Sequence, residues 1–270
     1  MKQYKLGVLG AGNMGMAIAE GAAAARIFTR GDILLFNRTE EKRAEKAALG
    51  YAVTGDMTRV YTDCERVILG VKPQNFDELL PLLAAAPLEG KPLVISIAAG
   101  VTFAKMEAAL GTDCPIVRVM PNTPLLLGMG ASALVGNAAA SAMQIEETRA
   151  LFASMGYAIV FDREDMLNEV IPFNGSLPAF AYQFIDAFAR TAEAHGIERD
   201  AALPLICKTV AGAAEMVLRT GKTPEELIRA VCSPGGTTIE GVHVFEEHGL
   251  YDIVAQASDK TIARAYELGK

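Results

Sequence analysis

Apolar and polar positions follow two alternating periods through the first 162 residues. Short runs rich in Val, Ile and Leu occupy 4–9, 32–36, 66–71, 92–97, 115–120, 131–135 and 157–161. Several are nearly continuous in apolar residues, as parallel strands buried on both faces are. Between them the spacing predicts helices at about 13–25, 40–48, 75–86, 102–110 and 138–155. This alternation predicts a doubly wound α/β sheet.

Beyond residue 162 the strand pattern stops. Helical spacing covers about 164–195, 199–220, 224–231, 237–248 and 251–268. One start is sharply marked, with Thr223 as N-cap, Pro224 at the first helical position and Glu226 three residues after the cap. The stretch 170–194 carries more Phe, Tyr, Ile and Ala than a helix with one wet face needs, which points to a helical subunit interface. The expected division is a dinucleotide-binding domain at 1–162 and an all-helical domain for substrate and dimerisation at 163–270.

Composition narrows the classes. A chain of 270 residues that is 51% hydrophobic can bury a core, which excludes intrinsic disorder. Lys plus Arg number 25 against 32 Asp plus Glu, a net charge of −7 that argues against nucleic acid or an anionic membrane as partner. Unbroken apolar runs such as 92–101 fall short of the ~20 residues that span a bilayer. Cys64, Cys114, Cys207 and Cys232 are scattered, with no C-x-x-C, as in a reducing compartment. His243 and His248, five apart, turn to different helix faces, so no metal site is expected. Gly7, Gly10, Gly12, Asn13 and Gly15 interrupt the N-terminal apolar run where a signal peptide needs continuity. A soluble, cytoplasmic protein is the expectation.

Leu9-Gly10-Ala11-Gly12-Asn13-Met14-Gly15 is the most informative local segment. Its G-x-G-x-x-G follows an apolar strand and opens an Ala-rich helix, the context of a dinucleotide fold. Gly10 permits the tight turn, Gly12 lets backbone approach a pyrophosphate, and Gly15 allows close helix–strand packing. Where an NAD site usually places Asp or Glu, after the second strand, the chain has Asn37-Arg38-Thr39; Asp32 stands at the wrong end of that strand. Arg38, Lys42 and Lys46 share a helix face, although Glu40, Glu41 and Glu45 are interleaved. A 2′-phosphate suits this arrangement, so NADPH is the expected cofactor, with NADH as the alternative.

Other segments fall at carboxyl ends of strands, where open α/β sheets bind ligands. Val71-Lys72-Pro73 ends one strand; Lys72 reads as a cofactor contact or strand cap in preference to a general acid. Ala98-Ala99-Gly100 offers small residues beside a ring, and Met120-Pro121-Asn122-Thr123-Pro124 is a rigid turn. In the helical half, Cys232-Ser233-Pro234-Gly235-Gly236-Thr237-Thr238 leads into a helix. That reads either as an anion site at a helix N-terminus or as a plain N-cap at Thr237 or Thr238.

Ser233-Pro234-Gly235-Gly236-Thr237-Thr238 resembles the signature of pyrroline-5-carboxylate reductases, the last enzymes of proline biosynthesis. The resemblance runs nearly the whole chain, through the glycine turn with Asn13-Met14, Asn37-Arg38, Val71-Lys72-Pro73, Ala98-Ala99-Gly100-Val101 and Met120-Pro121-Asn122-Thr123-Pro124. It implies a Rossmann domain for NAD(P)H, an interlocking helical dimer that often assembles further, and reduction of Δ1-pyrroline-5-carboxylate to L-proline. It also implies a substrate set of Ser233, Gly235, Gly236, Thr237 and Thr238, with backbone on the carboxylate and the Thr238 hydroxyl on the ring nitrogen.

The chain departs from the family pattern at Asn174-Gly175-Ser176-Leu177, where relatives usually read Ser-Gly-Ser-Gly, and at Met57, Lys222 and Ala230. These positions bear on pocket shape and cofactor preference. Other readings are an imine reductase for a related cyclic imino acid and a non-catalytic NADP(H)-binding sensor. A β-hydroxyacid dehydrogenase would need a base-like lysine from the helical half, where Lys208 is the one candidate in the central helices.

Overall fold

The structure is a computed structural model and describes residues 2–268. Two compact units divide the chain: one runs up to Ser176 and takes in the chain again from Thr261, the other is Leu177–Lys260.

The first unit is built on an eight-stranded sheet. Its strands are β1 (Tyr4–Leu9), β2 (Ile33–Phe36), β3 (Ala52–Thr54), β4 (Cys64–Leu69), β5 (Leu93–Ser96), β6 (Ile116–Met120), β7 (Gly130–Gly136) and β8 (Gly156–Val160). Their spatial order is β3-β2-β1-β4-β5-β6-β7-β8. The chain moves outward from β1 through β2 to β3, then returns to the other side of β1 with β4. Strand order therefore reverses between β1 and β4, where a doubly wound sheet opens its ligand crevice.

Side-chain alternation in these strands fills two cores. Leu6 and Val8 of β1 join Ile68 of β4 and Ile95 of β5 on one face, under α1 (Asn13–Ala24) and α6 (Ala142–Ala153). Leu9, Val67, Leu69 and Val94 take the other face with Val60 of α3 (Met57–Asp63), Phe76 of α4 (Phe76–Ala84) and Met106 of α5 (Phe103–Leu110). α2 (Glu40–Ala48) buries none of its residues and follows β2 along the edge of the site.

Three features differ from the sequence expectation. β7 runs antiparallel to β6, because a connection consisting mainly of the short turn Thr123–Leu127 cannot supply the dozen or more residues a parallel crossover needs. β3 and α3 fill a region where no element was expected; three residues are too few to show a period. The helix expected over 164–195 is two, α7 (Met166–Glu169) and α8 (Leu177–Ala194). Leu167 of α7 packs with Ala133 and Val135 of β7, so α7 belongs to the sheet unit.

The second unit contains α8, α9 (Arg199–Thr220), α10 (Pro224–Val231), α11 (Thr237–Glu247) and the greater part of α12 (Leu250–Leu268). Thr223 and Glu226 form the expected capping box: Thr223 N–H donates to Glu226 Oε2 at 2.8 Å and Glu226 N–H to Thr223 Oγ1 at 3.3 Å. Ala189 and Ala202 are buried there, whereas Tyr182, Leu205, Leu218, Val231 and Tyr251 are at least 60% exposed. A fully buried side chain of this kind stabilises by roughly 1.5–3 kcal/mol, so these faces are suited to covering by another surface. α9 also corrects one expectation, since it has the length and composition of a membrane span. It reaches that hydropathy across Lys208 and Glu215, which unbroken-run counting passes over; an apolar helix that packs on protein meets the same test.

Candidate active site

The β1–α1 turn is shaped by three glycines with separate causes. Gly10 has φ +97°, and a Cβ there would lie 2.4 Å from the Gly70 carbonyl carbon at the end of β4. At Gly15 a Cβ would meet the Gly10 carbonyl oxygen at 2.3 Å. Both glycines are demanded by packing within the chain. Gly12 is not: its φ is −79° and nothing among the described residues stands within 4 Å of its Cβ position. Gly12 is also the N-cap of α1, with no side-chain cap on the first-turn N–H groups. The open space and unmatched donors together suit an anionic ligand.

A cleft of about 800 Å3 opens over this turn, within the size range of small-molecule sites. Gly10, Ala11, Gly12 and Asn13 line it from the turn, Asn37, Arg38, Thr39, Lys42 and Lys46 from the β2–α2 corner, and Val71 and Lys72 from the end of β4. The sequence reading had no part for Met16, Phe36, Gly70, Asn75, Glu78, Leu79 and Leu82, which complete the wall with Met57 and Glu45. Four cations against Glu45 and Glu78 leave the cleft positive. Leu9, Met14, Pro73, Ala98 and Ala99 do not line it. Leu9 and Ala98 are core residues, Met14 packs against the core, Pro73 opens a 3-10 turn, and Ala99 is exposed elsewhere.

The β2–α2 corner is held by main-chain contacts. Asn37 N–H donates to the Thr54 carbonyl at 3.1 Å, which ties the corner to β3. Arg43 Nη1 donates to the carbonyls of Asn37 at 3.0 Å and Arg38 at 2.8 Å. Asn37 Oδ1 is buried with no hydrogen-bond partner among the described residues, an unmet polar atom in the cleft wall. Asp32 does not reach this end: its Oδ2 accepts from the Thr29 hydroxyl at 2.5 Å and the Thr29 N–H at 2.9 Å. Those bonds hold its carboxyl below the usual range, the hydroxyl contributing most.

In the helical unit, Ser233-Pro234-Gly235-Gly236 is a tight turn closed by Gly236 N–H donating to the Ser233 carbonyl at 3.0 Å. Pro234 at the second position and Gly235 at φ +67° are the residues a type II turn favours. The N-cap of α11 is Gly236, so neither Thr237 nor Thr238 caps the helix; they are its first two residues. Among the described residues the N–H groups of Gly235, Thr237 and Thr238 have no partner, nor do the two threonine hydroxyls. A Cβ on Gly236 would lie 2.5 Å from Ser233 Oγ, so that hydroxyl lies against Gly236 although Ser233 is exposed. What remains available is a helix N-terminus of unmatched donors carrying two hydroxyls.

Comparison with known proteins gives one consistent result. Residues 164–268 match the family described as pyrroline-5-carboxylate reductase dimerisation, and residues 5–100 match NADP oxidoreductase, coenzyme F420-dependent. The pyrroline-5-carboxylate reductase of Escherichia coli is 36% identical over 99% of both chains. The solved structure of a pyrroline-5-carboxylate reductase from Coxiella burnetii superposes with a TM-score of 0.92 at 31% identity, covering all of both chains. The Plasmodium falciparum pyrroline carboxylate reductase, solved with NADP bound, covers both chains fully with a TM-score of 0.88 at 26% identity.

Proposed function

The chain belongs to the pyrroline-5-carboxylate reductase family, and from that membership we propose that it reduces Δ1-pyrroline-5-carboxylate to L-proline, with NADPH preferred over NADH. The observation that carries the reading is the 233–238 turn: a helix start with free N–H groups and two hydroxyls. A protein that only binds a dinucleotide has no use for it.

NADPH, when bound, supplies the hydride. The residues of the 800 Å3 cleft fit it on two counts, the open space at Gly12 and the unmet Asn37 Oδ1 acceptor. Gly10, Ala11, Gly12 and Asn13 would take the pyrophosphate, Arg38 with Lys42 and Lys46 the 2′-phosphate, and Val71 and Lys72 the stretch toward the nicotinamide. Leu9, Pro73 and Ala98 lie at or beside the strand ends behind these contacts, Met14 packs from α1 against the core, and Ala99 is exposed outside the cleft wall. The donors of Gly235, Thr237 and Thr238 would hold the substrate carboxylate, while Gly236 and Ser233 set the turn. The Thr238 hydroxyl orients the ring nitrogen. A protonated imine is already electrophilic, so orientation, worth several kcal/mol, is the main task of these side chains. A threonine hydroxyl is too weak an acid to protonate the imine, and solvent supplies that proton.

The exposed apolar faces of α8–α12 support a homodimer through the helical unit, with dimers assembling further; the net charge of −7 speaks against nucleic acid or an anionic membrane as partner. Four free cysteines fit a cytoplasmic enzyme. The test is oxidation of NADPH and NADH by the purified protein with and without Δ1-pyrroline-5-carboxylate. Substrate-dependent oxidation that forms proline is the expected result. Tight NADPH binding without turnover on this imine overturns the substrate assignment, and larger cyclic imines then become the substrates to try.

A further inference from the structure

Arg43 and Lys46 are the residues of α2 that are not fully exposed, yet Arg43 is no part of the cleft wall. One nitrogen of its guanidinium bonds the consecutive carbonyls of Asn37 and Arg38, at 3.0 and 2.8 Å. With Asn37 N–H held by Thr54, the Asn37 residue is fixed on both its donor and its acceptor side. The guanidinium lies against Gly55, where a Cβ would stand 3.0 Å from Nη1, 3.4 Å from Cζ and 3.8 Å from Nε. Gly55 is not among the positive-φ glycines, so the backbone itself does not require glycine there. No carboxylate among the described residues pairs with Arg43. A cation with this placement has one evident use, to bind main chain at the corner that presents Asn37 and Arg38.

We propose that Arg43 is a positioning residue for cofactor choice: by holding the Asn37 and Arg38 carbonyls across Gly55, it sets Arg38 where a 2′-phosphate can be bound. The proposal rests on the reading of the cleft as an NADPH site. Charge-assisted bonds to carbonyls are the stronger class of hydrogen bond, and here both act on the residues that would distinguish the two cofactors. Because a single nitrogen makes both bonds, an ammonium can replace it, unlike at a forked guanidinium site.

The test uses the full chain as Arg38→Ala, Arg43→Gln, Arg43→Lys and Gly55→Ala, with a thermal melt for each. Dissociation constants for NADPH and NADH are titrated, and kcat is read at saturating cofactor. Arg43→Gln should weaken NADPH about tenfold and NADH less than about twofold, with kcat unchanged. Gly55→Ala should stay within about twofold of the parent, since the guanidinium at the end of a flexible side chain has to give by only a few tenths of an ångström; Arg43→Lys should also stay within about twofold. Equal losses for both cofactors in Arg43→Gln would reduce the residue to general scaffold and overturn the proposal. A selective loss in Arg43→Gln that vanishes at high salt would also overturn it, leaving long-range charge as the cause. Arg38→Ala separates the two levels: if it does not lower NADPH selectivity, the cofactor-site reading itself falls, whereas loss there with none in Arg43→Gln removes Arg43 alone.

Discussion

Asn122 and Asn174 lock each other's segments: Asn122 Nδ2 donates to the Asn174 carbonyl at 3.1 Å, and Asn174 Nδ2 donates to the Met120 carbonyl at 2.7 Å. Asn122 Oδ1 also accepts from Ala131 N–H at 2.9 Å, so the turn after β6 is tied both to β7 and to the segment ahead of α8. Both side chains are buried. Asn174 stands where the family pattern has serine, and its longer amide makes bonds that a hydroxyl at that position would reach differently. Either residue changed to Ala should cost about 1–3 kcal/mol, because a buried group loses its partner. Chemical denaturation of the single and double variants checks this; the double should cost less than the sum, since the two share one network.

The glycine turn separates folding from binding. Gly10→Ala places a Cβ against the Gly70 backbone at a positive φ, and should lower stability by more than about 2 kcal/mol. Gly12→Ala meets open space and should cost no more than about 1 kcal/mol, the scale of an N-cap change, while weakening NADPH. Melting curves beside cofactor titrations distinguish the two outcomes.

Thr238 is exposed at the start of α11 and its hydroxyl has no partner among the described residues, so its removal should leave the melting temperature unchanged. Thr238→Ala should lower kcat by roughly 10-fold, the scale of one hydrogen bond made in the transition state, with little change in NADPH affinity. Thr238→Ser should recover most of the rate. Full activity in Thr238→Ala at saturating cofactor would remove the assignment.

Alkaline stability should report Cys64. Burial pushes its thiol up to about 12, with the neighbouring Asp63 charge adding to the rise. A thiol with a folded pKa above its unfolded one, about 8.5, contributes fully below the unfolded value and progressively loses that contribution up to the folded value. Tyr61 and Cys114 are raised in the same direction, mainly by burial. Between pH 8 and pH 10.5, the melting temperature of Cys64→Ala should fall less than that of the parent. An identical fall in both would show that Cys64 ionisation does not limit the fold at high pH.

Much of the sheet is legible along the chain because β1, β4, β5 and β6 are buried on both faces, and continuous Val, Ile and Leu runs record that directly. The direction of β7 is not recorded in its own residues; it follows from the short connection before it. The break between α7 and α8 has local signals in Pro172, Asn174-Gly175 and Pro178, which the helical spacing over 164–195 overrode; the Asn174 bond to Met120, 54 positions away, is what no local signal shows.

The sequence by itself determined the elements with strong periods, the dinucleotide turn, the family signature and the absence of an acid after β2, since each depends on residues adjacent in the chain. Only the tertiary structure decided that Gly10 serves packing while Gly12 leaves open space, and that Gly236 N–H closes a turn. It also decided that Arg38 lies ahead of α2, not on the helix face of Lys42 and Lys46, and that Arg43 bonds the carbonyls of Asn37 and Arg38. Each of these turns on which atoms of distant segments come within hydrogen-bond or van der Waals reach. Spacing within a single helix or strand carries no record of that reach.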